Sequence, residues 1–289
     1  MNTSLRPRRS ALYMPSSNEK ALEKAKTIAS DAIIFDLEDA VAPDAKPTAR
    51  VNAVAAANSG AYGGRELTIR CNGLDTPWGA DDIAAAATAC VSAVVIPKIN
   101  SVAEVNAVSA ALRAAGAPDE ILIWAMIETP TAIFDVRAIA AHPRVATLVM
   151  GTNDLAKELR ATQVRGRSPL VPHLATALLA AREAGKVILD GVFNDVKDLE
   201  AFRDECVQGM QMGFDGKTLI HPTQVDVAND VWAPSADEVD HARRVIAAFD
   251  EAVAEGRGVI TVDGRMIENL HVDNARRVLA VHTAINSLA

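Results

Sequence analysis

Short apolar runs recur along the chain, each followed by a longer stretch with helical spacing of its apolar positions. The runs cover residues 11–15, 32–36, 67–71, 93–97, 122–130, 145–154, 187–193 and 217–221. A run of strand length that is apolar without alternation reads as a strand buried on both faces, as in a parallel sheet. Residues 18–30, 80–89, 102–115, 131–141, 173–184 and 198–212 lie between the runs, carry the helical period and are rich in alanine. Strict alternation of strand and helix implies right-handed crossovers, and eight such units close a TIM barrel. The expected fold class is therefore α/β, a TIM (β/α)8 barrel, with residues 1–230 as its catalytic domain.

Past Pro222 the pattern changes. Residues 236–256 read as a helix, residues 258–267 alternate around Asp263-Gly264, and residues 273–287 read as a second helix. An Asp-Gly pair flanked by apolar residues predicts a tight hairpin turn. This extension, residues 231–289, looks too small for a core of its own. It is expected to pack on a barrel, its own or a neighbour's.

The ends of the runs point to chemistry. Asp36, Glu38 and Asp39 follow the second run, Arg70 and Asn72 the third, Lys98 the fourth, Glu128 the fifth, Asn153 and Asp154 the sixth, Asp190 and Asn194 the seventh, and His221 the eighth. Barrel active sites are built at that end of the strands. If the fifth and sixth strands are neighbours, Glu128 and Asp154 converge, and two hard oxygen ligands suit a Mg²⁺ that keeps most of its waters. The other reading makes each a cap of the following helix. Arg70 has the geometry to clamp a carboxylate or an enolate oxygen, or it pairs with one of the acids nearby. One or two of Asp36, Glu38 and Asp39 could hold metal-bound water, the rest capping the loop or pairing with Arg70. His221 reads more readily as structural, because no serine or cysteine nucleophile motif and no metalloprotease motif accompanies it. Arg8, Arg9, Lys20 and Lys24 flank the first run, as a site for phosphates or as a solvated face.

Composition narrows the partners. With 289 residues, 49% hydrophobic and 23% charged, the chain can bury a large core and is far from a disordered composition. A net charge of -8 with no basic stripe argues against nucleic acid. Residues 1–9 are basic without an apolar segment behind them, which argues against a secretory signal, and the most apolar segment, 83–97, is too short to span a bilayer. The expectation is a soluble, cytoplasmic protein with no membrane partner. Cys71, Cys90 and Cys206 have no metal-site spacing and are expected to be buried free thiols.

Six segments in order carry a resemblance: Arg9-Ser-Ala-Leu-Tyr-Met-Pro15, Phe35-Asp-Leu-Glu-Asp-Ala-Val41, Ile127-Glu-Thr-Pro130, Gly151-Thr-Asn-Asp-Leu155, Gly216-Lys-Thr-Leu-Ile-His-Pro-Thr-Gln-Val225 and Val262-Asp-Gly-Arg-Met-Ile267. From about Arg9 to the C-terminus the chain resembles the citrate lyase β-subunit-like (HpcH/HpaI aldolase/citrate lyase) family, and within it the malyl-CoA and β-methylmalyl-CoA lyases. The resemblance implies a TIM barrel, Mg²⁺ with Mn²⁺ as a possible substitute, a CoA thioester, a small 2-oxoacid such as glyoxylate, and a homotrimer or hexamer. By position, Glu128 and Asp154 match the metal ligands, and Arg70 matches the arginine on the keto-acid. Glu38 with Asp39 matches the acidic pair around metal-bound water. Asp263 matches the aspartate placed over a neighbouring subunit's site, which would make the extension a lid for that neighbour.

The function implied is a carbon-carbon lyase that cleaves or condenses a β-hydroxyacyl-CoA such as malyl-CoA. Arg70 and Asp263 would be catalytic, while Arg70, Glu128, Arg9 and Lys24 would bind substrate. Three alternatives stand beside it: a malyl-CoA-type thioesterase, a metal-dependent 2-oxoacid aldolase that uses no CoA, and a barrel that binds a CoA ester without turnover.

Overall fold

Each of the eight apolar runs is a strand in the computed structural model, which describes residues 6–254 and 260–288. The strands are β1 (Ser10–Pro15), β2 (Ala32–Asp36), β3 (Glu66–Arg70), β4 (Ala93–Ile96), β5 (Leu122–Ile127), β6 (Val145–Met150), β7 (Val187–Asp190) and β8 (Gly216–Leu219). They pair in parallel in sequence order, and β8 returns to β1 to close the barrel. Closure brings the two backbones so close that a side chain at Gly216 would strike the Arg8 carbonyl. Alternate residues point inward, where Ile34, Val95, Trp124, Val149 and Leu189 form the interior cluster. The outward residues are covered by helices, so both faces of each strand are dry.

Those helices are α1 (Glu19–Ala25), α2 (Lys46–Asn58), α3 (Gly79–Ala86), α4 (Val102–Ala114), α5 (Pro130–Ala141), α6 (Thr152–Glu158), α7 (Val171–Glu183), α8 (Leu199–Met212) and α9 (Val225–Val231). Four begin on side-chain caps at the strand-end rim: Asn18 on Ala21 N–H, Ser101 on Glu104 N–H, Thr129 on Ala132 N–H and Asp198 on Ala201 N–H. Three of these helices, α2, α6 and α9, are absent from the stretches read off the pattern. The buried face of α2 is Lys46, Ala49, Ala53 and Ala57, which offers little contrast between apolar and polar positions.

A buried ion network ties β7, β8 and α8 together behind the barrel wall. Asp190 and Lys217 are register partners. The Lys217 Nζ, fully buried, lies 2.9 Å from Asp190 Oδ2 and 2.8 Å from Glu205 Oε1, and Arg167 Nη1 donates to Asp190 Oδ1 at 2.7 Å. Burial works against the Asp190 charge, but Lys217 and Arg167 outweigh it and hold the carboxyl below its usual range. Asp190→Asn should therefore cost about 3 kcal/mol at neutral pH. The carboxylate's contribution is complete above its unfolded pKa of about 3.9 and fades as pH falls through the lower folded value. Urea unfolding at pH 7 and again near pH 3 should show the gap between parent and variant closing in acid. A constant gap would mean the charge is not what matters.

From Trp232 onward the chain forms a second compact unit, apart from the barrel unit Arg8–Val231. It contains α10 (Ala236–Ala254), the antiparallel strands β9 (Ile260–Val262) and β10 (Arg265–Ile267), and α11 (Asn269–Asn286). Contrary to the expectation from its size, it has an apolar cluster of its own. Val245 and Phe249 of α10, Ile260 and Ile267 of the hairpin and Val272 of α11 bury against one another. Two long amphipathic helices with a hairpin have enough apolar stripe for that. The hairpin turn has positive φ at both Asp263 (49°) and Gly264 (75°), the type I′ geometry that an Asp-Gly pair favours. The expected helix end at residue 256 and the start of alternation at residue 258 lie outside the described residues. Among the described residues no helix is long and apolar enough to cross a membrane. Cys71 and Cys206 are buried free thiols, whereas Cys90 is exposed.

Candidate active site

Parallel strands all point the same way, so the polar residues that end them share one rim. There Tyr13, Asp36, Arg70, Glu128, Asp154 and Thr218 contribute to a cavity of about 330 Å³.

Glu128 follows β5 and is only 3% exposed. Its Oε1 accepts the Lys98 N–H at 2.7 Å. Lys98 adopts φ 50°, a left-handed conformation uncommon for a non-glycine residue, and that turn aims the amide at the carboxylate. Oε2 lies against Gly151, where any side chain would collide with it. Burial pushes the Glu128 carboxyl up to about 7, with the Lys98 amide opposing and Asp154 reinforcing the rise. Asp154 is the third residue of α6, whose N-cap is Gly151 with no side-chain cap bond, so Asp154 is not a cap. Its Oδ2 lies 3.5 Å from Lys98 Nζ.

Arg70 is held from several sides. Its Nε and Nη2 donate to the two oxygens of Asp36, both at 2.7 Å, because Asp36 and Arg70 are register partners on β2 and β3. Nη1 lies 2.6 Å from Glu38 Oε2 and 3.3 Å from Asp39 Oδ2, and the guanidinium stacks on Tyr13 at 4.6 Å. Burial works against the Arg70 charge, but Asp36 outweighs it and raises the pKa further. Asp36 also accepts the Glu38 and Ala40 N–H groups and so shapes the loop after β2. Burial pushes Glu38 up to about 7, the neighbouring Arg70 opposing.

The donor set fits a divalent cation. Asp36, Glu38, Asp39, Glu128 and Asp154 outnumber Arg70 and Lys98, so an anionic ligand would meet net repulsion at this rim unless a cation came with it. Among the described residues no three His, Cys, Asp or Glu side chains are grouped to hold a metal by themselves. Two carboxylates completed by water and ligand oxygens is the habit of Mg²⁺.

Asn153 and Asn194 exchange amide hydrogen bonds at 3.0 and 2.8 Å beside this pocket. They also border a second cavity of about 690 Å³, whose further lining includes Arg165, Arg167, Asp198 and Glu205.

The structure thus brings Glu38, Asp39, Arg70, Glu128 and Asp154 together. It does not bring Arg9 or Lys24 to them, which corrects their expected role in substrate binding. Arg9 precedes β1 and therefore sits at the base of the barrel, where it grips Asp31 through Nε at 2.8 Å and Nη2 at 2.7 Å. Arg8 is likewise basal and paired with Glu66. Lys24 is exposed in the last turn of α1, the end that leads away from the rim. His221 is structural: its Nδ1 accepts the Thr223 N–H at the start of a helical turn. Asp263 lies in the C-terminal unit, where hydrogen bonds from Arg244 and His241 hold its carboxyl below the usual range. Sequence reading missed Tyr13 as a stacking partner, because an aromatic inside an apolar run reads as core. It also left open which acid Arg70 pairs with, although the matching ends of the second and third runs were the available signal.

The profile of the HpcH/HpaI aldolase/citrate lyase family matches residues 9–222. A (3S)-malyl-CoA thioesterase of Cereibacter sphaeroides is 50% identical over 279 residues, 96% of either chain. An L-malyl-CoA/beta-methylmalyl-CoA lyase of the same species is 34% identical over 299 residues, 95% of this chain and 94% of that one. The crystal structure of CitE from Mycobacterium tuberculosis in complex with magnesium, acetoacetate and coenzyme A superposes with a TM-score of 0.78 at 28% identity, covering 95% of this chain and 97% of that one.

Proposed function

The chain belongs to the HpcH/HpaI aldolase/citrate lyase family, and from that premise we propose that it is a Mg²⁺-dependent hydrolase of a malyl-CoA-type thioester. The sequence expectation put carbon-carbon cleavage first. The observation that carries hydrolysis ahead of it is 50% identity, over 96% of both chains, to a (3S)-malyl-CoA thioesterase, against 34% to the lyase.

A malyl thioester carries a carboxylate and a hydroxyl at one end and the thioester at the other. Glu128 and Asp154 would hold the metal, as the magnesium complex of the CitE neighbour supports. When bound, Mg²⁺ supplies Lewis-acid stabilisation of substrate oxygens and offsets the acidic rim. Arg70, fixed by Asp36 and Tyr13, faces the same pocket and stabilises charge growing on an oxygen there without having to reorganise. The 330 Å³ cavity suits the acyl end, with the bulk of CoA outside it. A homotrimer or hexamer would carry a neighbour's Asp263 to this rim, where it would move a proton.

The lyase remains the second reading, since the same residues would serve it and the 34% relative performs it. An aldolase without CoA ranks lower, because the thioesterase and the lyase relative are each named for a CoA thioester. Purified protein given malyl-CoA should release free thiol and malate in Mg²⁺, retain part of that rate in Mn²⁺, and lose it in EDTA, with no glyoxylate formed. Glyoxylate with acetyl-CoA and no free thiol would overturn hydrolysis in favour of the lyase.

A further inference from the structure

The rim cavity that would take the acyl end has walls of two kinds. Asp36, Arg70, Glu128, Asn153, Asp154 and Asn194 make one side of it polar. Its floor is apolar. Tyr13, Met126 and Val192 line the cavity, and the same three belong to the barrel's interior cluster or pack on it, so the cavity ends and the core begins at these side chains.

Of the three, Met126 sets the depth beneath the metal site. It lies two residues before Glu128 and two after Trp124, the spacing that returns a strand to the same face. Trp124 below it is fully buried, with the Arg8 guanidinium 5.4 Å from its ring, and a close-packed interior does not yield to a ligand. Tyr13 is held by its stacking on Arg70. Val192 stands in the loop after β7 and is only partly buried. Met126 is 5% exposed, and an unbranched thioether fills whatever space the pocket leaves.

The hydroxyl-bearing carbon of a malyl thioester has four substituents. Its hydroxyl and carboxylate belong with the metal site and Arg70, and its methylene leads to the thioester and out of the mouth with CoA. The fourth, a hydrogen in the malyl group, is left to face the apolar floor. We propose that Met126 is the specificity-determining residue of this site and sets how large a group that carbon can carry, a role that rests on the acyl seating given above. A hydrogen there fits over the thioether. A propyl group meets it, with Trp124 behind.

The test compares the parent with Met126→Ala, Met126→Val, Met126→Leu and Ile220→Ala. The readouts are kcat/KM for malyl-CoA against its analogue with a propyl group on the hydroxyl-bearing carbon, calorimetric affinity in Mg²⁺ for the two corresponding free diacids, and thermal unfolding. The parent should favour the unbranched ligand by about 10²-fold or more, and Met126→Ala should cut that preference by about tenfold or more in rate and in affinity alike. Met126→Leu, of similar volume, should keep the parental preference. Ile220→Ala should keep it too, because Ile220 lines the cavity at its open side, 41% exposed. Met126→Val should fall between, and it carries the test if Met126→Ala does not fold. A preference unmoved by truncating Met126 overturns the proposal, as does a parent with no preference. An equal shift in Ile220→Ala also overturns it, since the added group would then point to the mouth. Absence of thiol release from malyl-CoA by the parent removes the hydrolytic reading alone, and the diacid affinities still decide the floor. Binding of neither diacid overturns the acyl seating and Met126's role with it.

Discussion

Glu128→Gln should lower metal-dependent thiol release by about 10³-fold while leaving the metal-free protein folded at least as firmly as the parent. The amide keeps the shape of the side chain and an oxygen for the Lys98 N–H, so the left-handed turn at Lys98 has no reason to move. What disappears is a charge that burial disfavours: the carboxyl is 3% exposed and pushed up to about 7. For an acid whose folded pKa is raised, stability falls as pH rises from the unfolded value of about 4.3 through the folded one, then levels off. The metal-free parent should therefore lose ground to Glu128→Gln between about pH 4 and pH 8, by on the order of 2 kcal/mol. Saturating Mg²⁺ should restore the parent and not the variant. Calorimetric Mg²⁺ titration and thermal unfolding at pH 5 and pH 8 would show it. Full turnover by Glu128→Gln would sink the metal site. Retained ligand binding with no turnover in parent or variant would point to a non-catalytic barrel.

Arg70→Lys should reduce kcat by about 10²-fold and destabilise the protein by about 3 kcal/mol. The substitution keeps the charge and loses the fork. A lysine cannot meet both Asp36 oxygens at once, so a buried carboxylate is left partly unpaired. The damage should spread, because Asp36 also holds the Glu38 and Ala40 amides and so places the loop that carries Glu38 and Asp39. Stacking on Tyr13 weakens too. Urea unfolding and steady-state thiol release test both halves. A variant with parental stability and rate would show that the guanidinium is no clamp.

These two residues illustrate how far the amino-acid pattern alone reaches. The apolar runs marked every barrel strand, and their polar ends marked the rim, because strand burial and strand direction are local consequences of the pattern once the sheet is parallel. Glu128 and Asp154 were legible for that reason: β5 and β6 are neighbours, and each is followed by its carboxylate. Arg9 and Lys24 misled for a related reason. Closeness to a run does not say which end of the strand a residue occupies, and Arg9 precedes its strand while Lys24 sits a helix away from the rim.

What the sequence by itself determined is the barrel, its order and the set of residues that can meet at its mouth. Only the tertiary structure decided how those residues divide the work. Arg70 takes Asp36 as its main partner because the β2–β3 register sets them side by side. Glu38 and Glu128 are raised towards neutrality while Asp190, itself buried, is depressed. Desolvation and pairing depend on side chains delivered by elements far apart in the chain, and that balance exists only once the barrel has closed.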